Sequence, residues 1–220
     1  MNKKALIAEF IGTFCFVFIG IGSIVADYWS SGKLGMTGIA LAHGLAIGVM
    51  ASATAAISGG HLNPAVTISL WSAKKIDTLN AIGYIVVQFL GAICAALLIK
   101  LAVPTDALNF VSLGIPALGY GITPMMGLIT EAVLTFILVF VIYGTAVDAR
   151  APKVGGLFIG LAITLDILMG GPISGAAMNP ARYIGPAVAS LNFQHAWIYF
   201  VGPIVGGVLA AQIYKLVLEK

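Results

Sequence analysis

Apolar residues come in long runs broken by short polar stretches. The runs cover about residues 6–25, 38–57, 79–101, 125–147, 154–169 and 197–218. A helix rises about 1.5 Å per residue and a bilayer's hydrocarbon core is about 30 Å thick, so the pattern predicts six membrane-spanning helices. Two further apolar stretches, 64–70 and 180–188, are too short to cross. The breaks carry turn and surface chemistry. Residues 27–37 form a short polar loop, Lys74, Lys75 and Asp77 mark a membrane surface, and 148–153 is a tight polar loop. The longest break, 104–123, is the expected cover of a vestibule. Lys3 and Lys4 before the first run also fit a signal peptide, but the run is longer than a signal core and contains Glu9.

The pattern repeats. Glu9, Thr13, Phe14, Val17 and Phe18 return 122 residues later as Glu131, Thr135, Phe136, Val139 and Phe140. Gly44-Leu45-Ala46-Ile47 returns after 116 residues as Gly160-Leu161-Ala162-Ile163. Tyr84, Gly91, Ala95 and Ala96 return after 115 as Tyr199, Gly206, Ala210 and Ala211. Repeat one covers about 5–101 and repeat two about 125–218. Each holds three spans, an odd number, so the second repeat lies inverted in the membrane. Glycines at Gly44 and Gly48, Gly156 and Gly160, and Gly202 and Gly206 have the spacing that lets membrane helices approach closely. Gly44 and Gly160 point to a crossing between the repeats.

Composition agrees with the pattern. Charged residues are 9% of the 220, hydrophobic ones 60%, and the mean hydropathy is +1.06. A soluble domain carries about a quarter charged residues, so this is an integral, multi-pass, all-α membrane protein. The net charge of +3 has no basic cluster behind it and suggests no nucleic acid. Placing the N-terminus inside puts Lys3, Lys4, Lys74, Lys75, Arg150, Lys153, Lys215 and Lys220 on the inner face. Lys33, Lys100 and Arg182 then fall on the other side. That bias predicts cytoplasmic termini. Cys15 and Cys94 both lie in apolar runs and read as small packing residues, not as a disulfide or a metal pair.

The two short apolar stretches share a motif. Ser58-Gly59-Gly60-His61-Leu62-Asn63-Pro64-Ala65 is matched 116 residues later by Ser174-Gly175-Ala176-Ala177-Met178-Asn179-Pro180-Ala181. Asn caps helices and Pro suits a first helical turn, so each motif begins a half-helix. The inversion sends one half-helix in from each face. Backbone of this kind at membrane depth must be buried in protein or line a watery cavity. Two helix N-termini then face each other, each carrying about half a positive charge. The Asn63 and Asn179 amides can both donate to one passing oxygen. A water held this way opposes cations and breaks a proton-conducting chain. Arg182, three residues past Asn179, is a cation at membrane depth and a candidate functional residue.

Inverted three-plus-three spans, two Asn-Pro-Ala half-helices and Arg182 closely resemble the aquaporin, or major intrinsic protein, family. The resemblance covers Glu9 to Ala211. It implies one channel domain over 1–220 with six transmembrane helices and two re-entrant half-helices, in a homotetramer with one pore per subunit. It assigns a selectivity filter to His43, Ile167, Ala176 and Arg182. It also assigns pore-lining carbonyls to extended stretches, Gly59, Gly60, His61 and Leu62 in one repeat and Gly175, Ala176, Ala177 and Met178 in the other. Strict water channels of the family have an aromatic at position 43 and a histidine at 167. This filter is similar to that of tonoplast-type aquaporins, wider and less polar beside Ile167. The glycerol-facilitating branch has Asp and Arg where this chain has Tyr183 and Ala187.

Glu9 and Glu131 are expected to support the re-entrant loops by accepting their backbone donors, and a proton relay is the alternative. Asp166 is expected near one end of its span, reaching interfacial water or tuning the filter. His61 is expected to brace its loop, and His195 to lie in a surface loop. The function expected is a passive channel in the plasma membrane for water and small neutral solutes such as ammonia or urea, excluding protons and ions. A glycerol- or urea-type facilitator with water secondary is the alternative. An ion-coupled transporter would need acids at the midplane, where neutral Asn63 and Asn179 stand. No nucleophile, metal cluster or phosphate loop suggests an enzyme, a metal or a cofactor.

Overall fold

The computed structural model describes residues 2–151 and 154–218, so Lys153 and Lys220 of the charge argument lie outside the described residues. The described residues form helices α1 Lys3–Trp29, α2 Gly35–Ser58, α3 Pro64–Ser72, α4 Thr78–Ala102, α5 Thr105–Phe110, α6 Pro124–Ile142, α7 Gly155–Ser174, α8 Pro180–Ser190 and α9 Ile198–Ile213. π-turns at Tyr143–Val147 and Tyr214–Leu218 extend α6 and α9. Six of these helices are long and apolar enough to span a bilayer. α3 and α8 are the two half-helices.

Span boundaries run past the apolar runs because polar residues can cap and still belong to a helix. α1 starts at Asn2, whose side chain accepts the Lys4 and Ala5 amides, and continues through Asp27 to Trp29. Asp27 accepts the Gly35 amide at 2.7 Å and so ties the end of α1 to the start of α2. α7 continues to Ser174, five residues beyond the expected end, despite Pro172. A proline so near a helix C-terminus forfeits a single bond, and Gly175 closes the helix in the left-handed conformation. The 104–123 break is not simply a loop. It contains α5 and a 3-10 turn, Ser112–Gly114.

Packing repeats with the sequence. A Cβ on Gly91 would lie 2.5 Å from the Phe10 carbonyl, and one on Gly206 would collide with the Ala132 carbonyl. The α1–α4 and α6–α9 crossings are thus equivalent. Between the repeats, a Cβ on Gly44 would strike the Gly160 carbonyl and Thr164 Oγ1, and one on Gly160 the Gly44 carbonyl. In lipid, close approach of this kind replaces the hydrophobic drive as the source of helix association. Many large apolar side chains face outward, among them Leu45, Val49, Leu101 and Leu165. Cys94 is on that exposed surface of α4, not packed inside, and both cysteines are free.

Candidate functional site

Each half-helix begins as its motif predicts. Asn63 caps α3 by accepting the Ala65 amide at 2.8 Å, and Asn179 caps α8 by accepting the Ala181 amide at 2.9 Å. Pro64 and Pro180 occupy the first helical turn. The amide nitrogens reach across the repeats. Asn63 Nδ2 donates to the Met178 carbonyl at 2.9 Å, and Asn179 Nδ2 donates to the Leu62 carbonyl at 3.0 Å. A primary amide has two N–H groups, so each asparagine keeps one donor beyond its cross-link.

The stretches before the half-helices are not extended. Gly59, Gly60 and Leu62 have positive φ, as do Gly175, Ala176 and Met178 in the other repeat. The chain turns tightly at these points. Glycine meets that demand freely at position 60, where a Cβ would also lie 2.8 Å from the Ala51 carbonyl. Of the eight carbonyl positions singled out, Leu62 and Met178 already accept an asparagine amide. A carbonyl's second lone pair stays open on each.

Buried acids receive the turns' amides. Glu9 accepts from the amides of His61 at 2.9 Å and Leu62 at 2.7 Å, from Ser58 Oγ at 2.6 Å and from Gln88 Nε2 at 2.8 Å. Glu131 accepts from the amides of Ala177 at 2.9 Å and Met178 at 2.7 Å and from Ser174 Oγ at 2.6 Å. The Tyr84 and Tyr199 hydroxyls, each at 2.9 Å, donate to the Ser58 and Ser174 carbonyls. Gln88 has no counterpart, because the matching position is Pro203. These supporting residues could have been found in the repeat pairs Ser58/Ser174 and Tyr84/Tyr199. Gln88 carried no such signal.

A cavity of about 20 Å³ adjoins both asparagines. That volume admits about one water. Phe16, Ile47, Val66, Leu138, Ile142, Ile159 and Ile163 form its apolar wall, with Gly60, His61, Asn63 and Asn179 as its polar side. The apolar lining was not singled out in the sequence, since isoleucine in a membrane span carries no local mark. His61 serves both surroundings, with its Nδ1 3.1 Å from Thr67 Oγ1 on α3.

The four filter positions are all buried. His43 is on α2, Ile167 on α7, Ala176 in the turn before α8 and Arg182 in the first turn of α8. His43 Nδ1–H donates to the Ile39 carbonyl at 2.9 Å, which leaves the other ring nitrogen as an acceptor in the neutral ring. The ring lies over Gly20, where a Cβ would come 2.6 Å from Nε2. Arg182 is within electrostatic range of His43. Its guanidinium donates to the Gly114 carbonyl at 2.6 Å. The 104–123 segment therefore reaches inward to hold the arginine, a role that its sequence did not announce. Asp166 is 2% exposed and does not reach interfacial water. His195 lies in the segment between α8 and α9 and is half-buried.

Away from the membrane core, Arg150 binds the Asp148 carboxylate through two nitrogens and also donates to the Leu218 carbonyl at 2.7 Å. Tyr214 Oη lies 3.3 Å from the same carboxylate. Arg150 holds the Asp148 carboxyl well below the usual carboxylate range. The cluster fastens the segment after α6 to the end of α9.

Two inverted repeats whose half-helices meet end to end define a class, the helical membrane channels with re-entrant loops. A family model described as major intrinsic protein matches residues 1–214. The probable aquaporin TIP3-2 of Arabidopsis thaliana is 44% identical over 225 residues, covering 96% of this chain and 82% of that one. Aquaporin TIP4-4 of Zea mays is 43% identical, covering 96% and 85%. The X-ray structure of the aquaglyceroporin from Plasmodium falciparum superposes with a TM-score of 0.87 at 28% identity, covering 99% of this chain and 97% of that one. The chain belongs to the major intrinsic protein family. It is an aquaporin-type membrane channel.

Proposed function

We propose that this channel passes water and small neutral solutes such as ammonia and urea, and excludes protons and ions. The observation that carries the reading is the free amide donor left on Asn63 and on Asn179 at the one-water cavity between them. Two donors and two helix N-termini orient a water with its hydrogens away from the centre and repel cations. Filter residues His43, Ile167, Ala176 and Arg182 set what else passes. With Ile167 and Ala176 small or apolar, the filter admits solutes larger than water, while Arg182 turns cations back. Tyr183 and Ala187 argue against a dedicated glycerol facilitator. Glu9 and Glu131 act as structural acceptors and not as a relay, since each accepts two backbone amides of its re-entrant turn.

The proposal extends to one channel domain over 1–220 with repeats at about 5–101 and 125–218, to cytoplasmic termini in the plasma membrane, and to a homotetramer with one pore per subunit. Basic residues such as Lys74, Lys75 and Arg150 support the orientation. The test is stopped-flow light scattering on liposomes carrying the protein. Water flux should rise above protein-free liposomes with a low activation energy. Ammonia and urea should follow, and an imposed pH gradient should persist. Uptake against a gradient, or collapse of the pH gradient, would reject the reading.

A further inference from the structure

α7 carries a carboxyl group that nothing above uses. Asp166 is 2% exposed, and its Oδ2 is buried with no hydrogen-bond partner among the described residues. A buried acceptor left open at membrane depth is costly, and such acids in spans are commonly functional. Its repeat-related position is Met50, so the inverted repeat does not require an acid there.

The helix geometry gives it a direction. Ile159 and Ile163 face the cavity at the asparagines. At about 100° per residue, Asp166 falls about 40° to one side of the line through them, and Ile167 about 60° to the other. Gly156, Gly160 and Thr164 occupy the face against α2, on the Ile167 side. Gly170, one turn above Asp166, packs against Leu134 of α6 and near Ala176. Asp166 thus lies on the α6 edge of the pore-facing stripe, one turn from the cavity wall and beside a filter position. Its 2% exposure does not set it apart from the pore groups, since Asn179 is 2% exposed, His43 3% and Arg182 7%.

We propose that Asp166 is a fifth, specificity-determining member of the filter, an acceptor that binds the N–H groups of small amine- and amide-type solutes as they pass Arg182. A carboxyl group, ionised or not, keeps an oxygen lone pair for such a donor. It supplies, on the α6 edge of the pore-facing stripe, a polar contact that Ile167 on the opposite edge cannot. Solutes richer in N–H groups benefit most, so urea gains more than water. Glu131, on the neighbouring α6, is within electrostatic range but already accepts from Ser174, Ala177 and Met178 on its two oxygens. Asp166 Oδ2 accepts from no group among the described residues.

This inference rests on the channel reading above, and the experiment separates the two. Wild type, Asp166→Asn and Asp166→Leu are reconstituted at equal protein, and water, ammonia and urea fluxes are measured in the same liposomes. Asp166→Asn keeps an acceptor of the same shape and should retain urea flux within about twofold. Asp166→Leu should lower the urea-to-water flux ratio about five- to tenfold, the worth of one hydrogen bond. Unchanged ratios in Asp166→Leu, or a loss of water and urea in equal proportion, would overturn the proposal. If wild type conducts no water above empty liposomes, it is the channel reading that fails.

Discussion

Glu9 and Glu131 meet the same two amides in their repeats, yet they are not equivalent at the level of single bonds. Ser58 and the His61 amide address Glu9 Oε1, while the Leu62 amide and Gln88 address Oε2. A glutamine at position 9 must turn its own N–H₂ toward two donors. The Glu131 Oε2 atom accepts only the Met178 amide. Glu9→Gln should therefore cost about 3 kcal/mol and Glu131→Gln roughly half of that, read as loss of thermal stability in detergent. Equal losses would show that Gln88 contributes nothing. Asp148 gives a residue-scale prediction of another kind. Its folded pKa is depressed by Arg150, so its contribution is fully present above about pH 4, the unfolded value, and is lost as pH falls through the folded one. Melting between pH 7 and pH 3 should fall less steeply in Asp148→Asn than in wild type.

At the scale of elements, helix crossings depend on which glycines lack room. Gly206 has the Ala132 carbonyl where a Cβ would go, and Gly22 has nothing within 4 Å. Gly206→Ala should destabilise by about 1–3 kcal/mol, as overpacking does. Gly22→Ala should be neutral or stabilising by up to about 1 kcal/mol, because alanine is the better helix former. A melting series of the two variants checks the order. Both crossings and half-helices were legible in the sequence, since repeat spacing and Asn-Pro-Ala are local marks. The backbone before the half-helices was not. Its carbonyl-rich stretches read as extended, but positive φ at Leu62, Ala176 and Met178 has no signature when the residue is not glycine. Nor was the anchoring of Arg182 by Gly114, because it joins residues 68 apart through a loop whose composition suggests only turns. Asp166 shows the limit of periodicity taken pairwise. It stands 100° from Ile167, but the pore direction lies between the two and only the cavity reveals that.

For the whole molecule, the proposal of one pore per subunit separates permeation from assembly. On that proposal, mixed oligomers conduct additively. Wild type co-reconstituted with a nonconducting but folded variant should give water permeability linear in the wild-type fraction. A steeper dependence would place the path between subunits. Six helices are long and apolar enough to span a bilayer with tilt, and Leu45, Val49, Leu101 and Leu165 are among the large apolar side chains they expose.

The crossed bonds of Asn63 to Met178 and Asn179 to Leu62 also bear on how the chain is made. While only the first repeat has been synthesised, the Asn63 amide and the Leu62 carbonyl have no mates at membrane depth. The half-helix α3 can form its cap early but cannot settle until α8 arrives, more than a hundred residues later. Insertion of the first three spans should therefore leave a loosely held intermediate, with closure timed by the last third of translation. A ribosome stalled before Asn179 would hold a chain whose α3 remains open to protease or to water, and release past that residue would seal it.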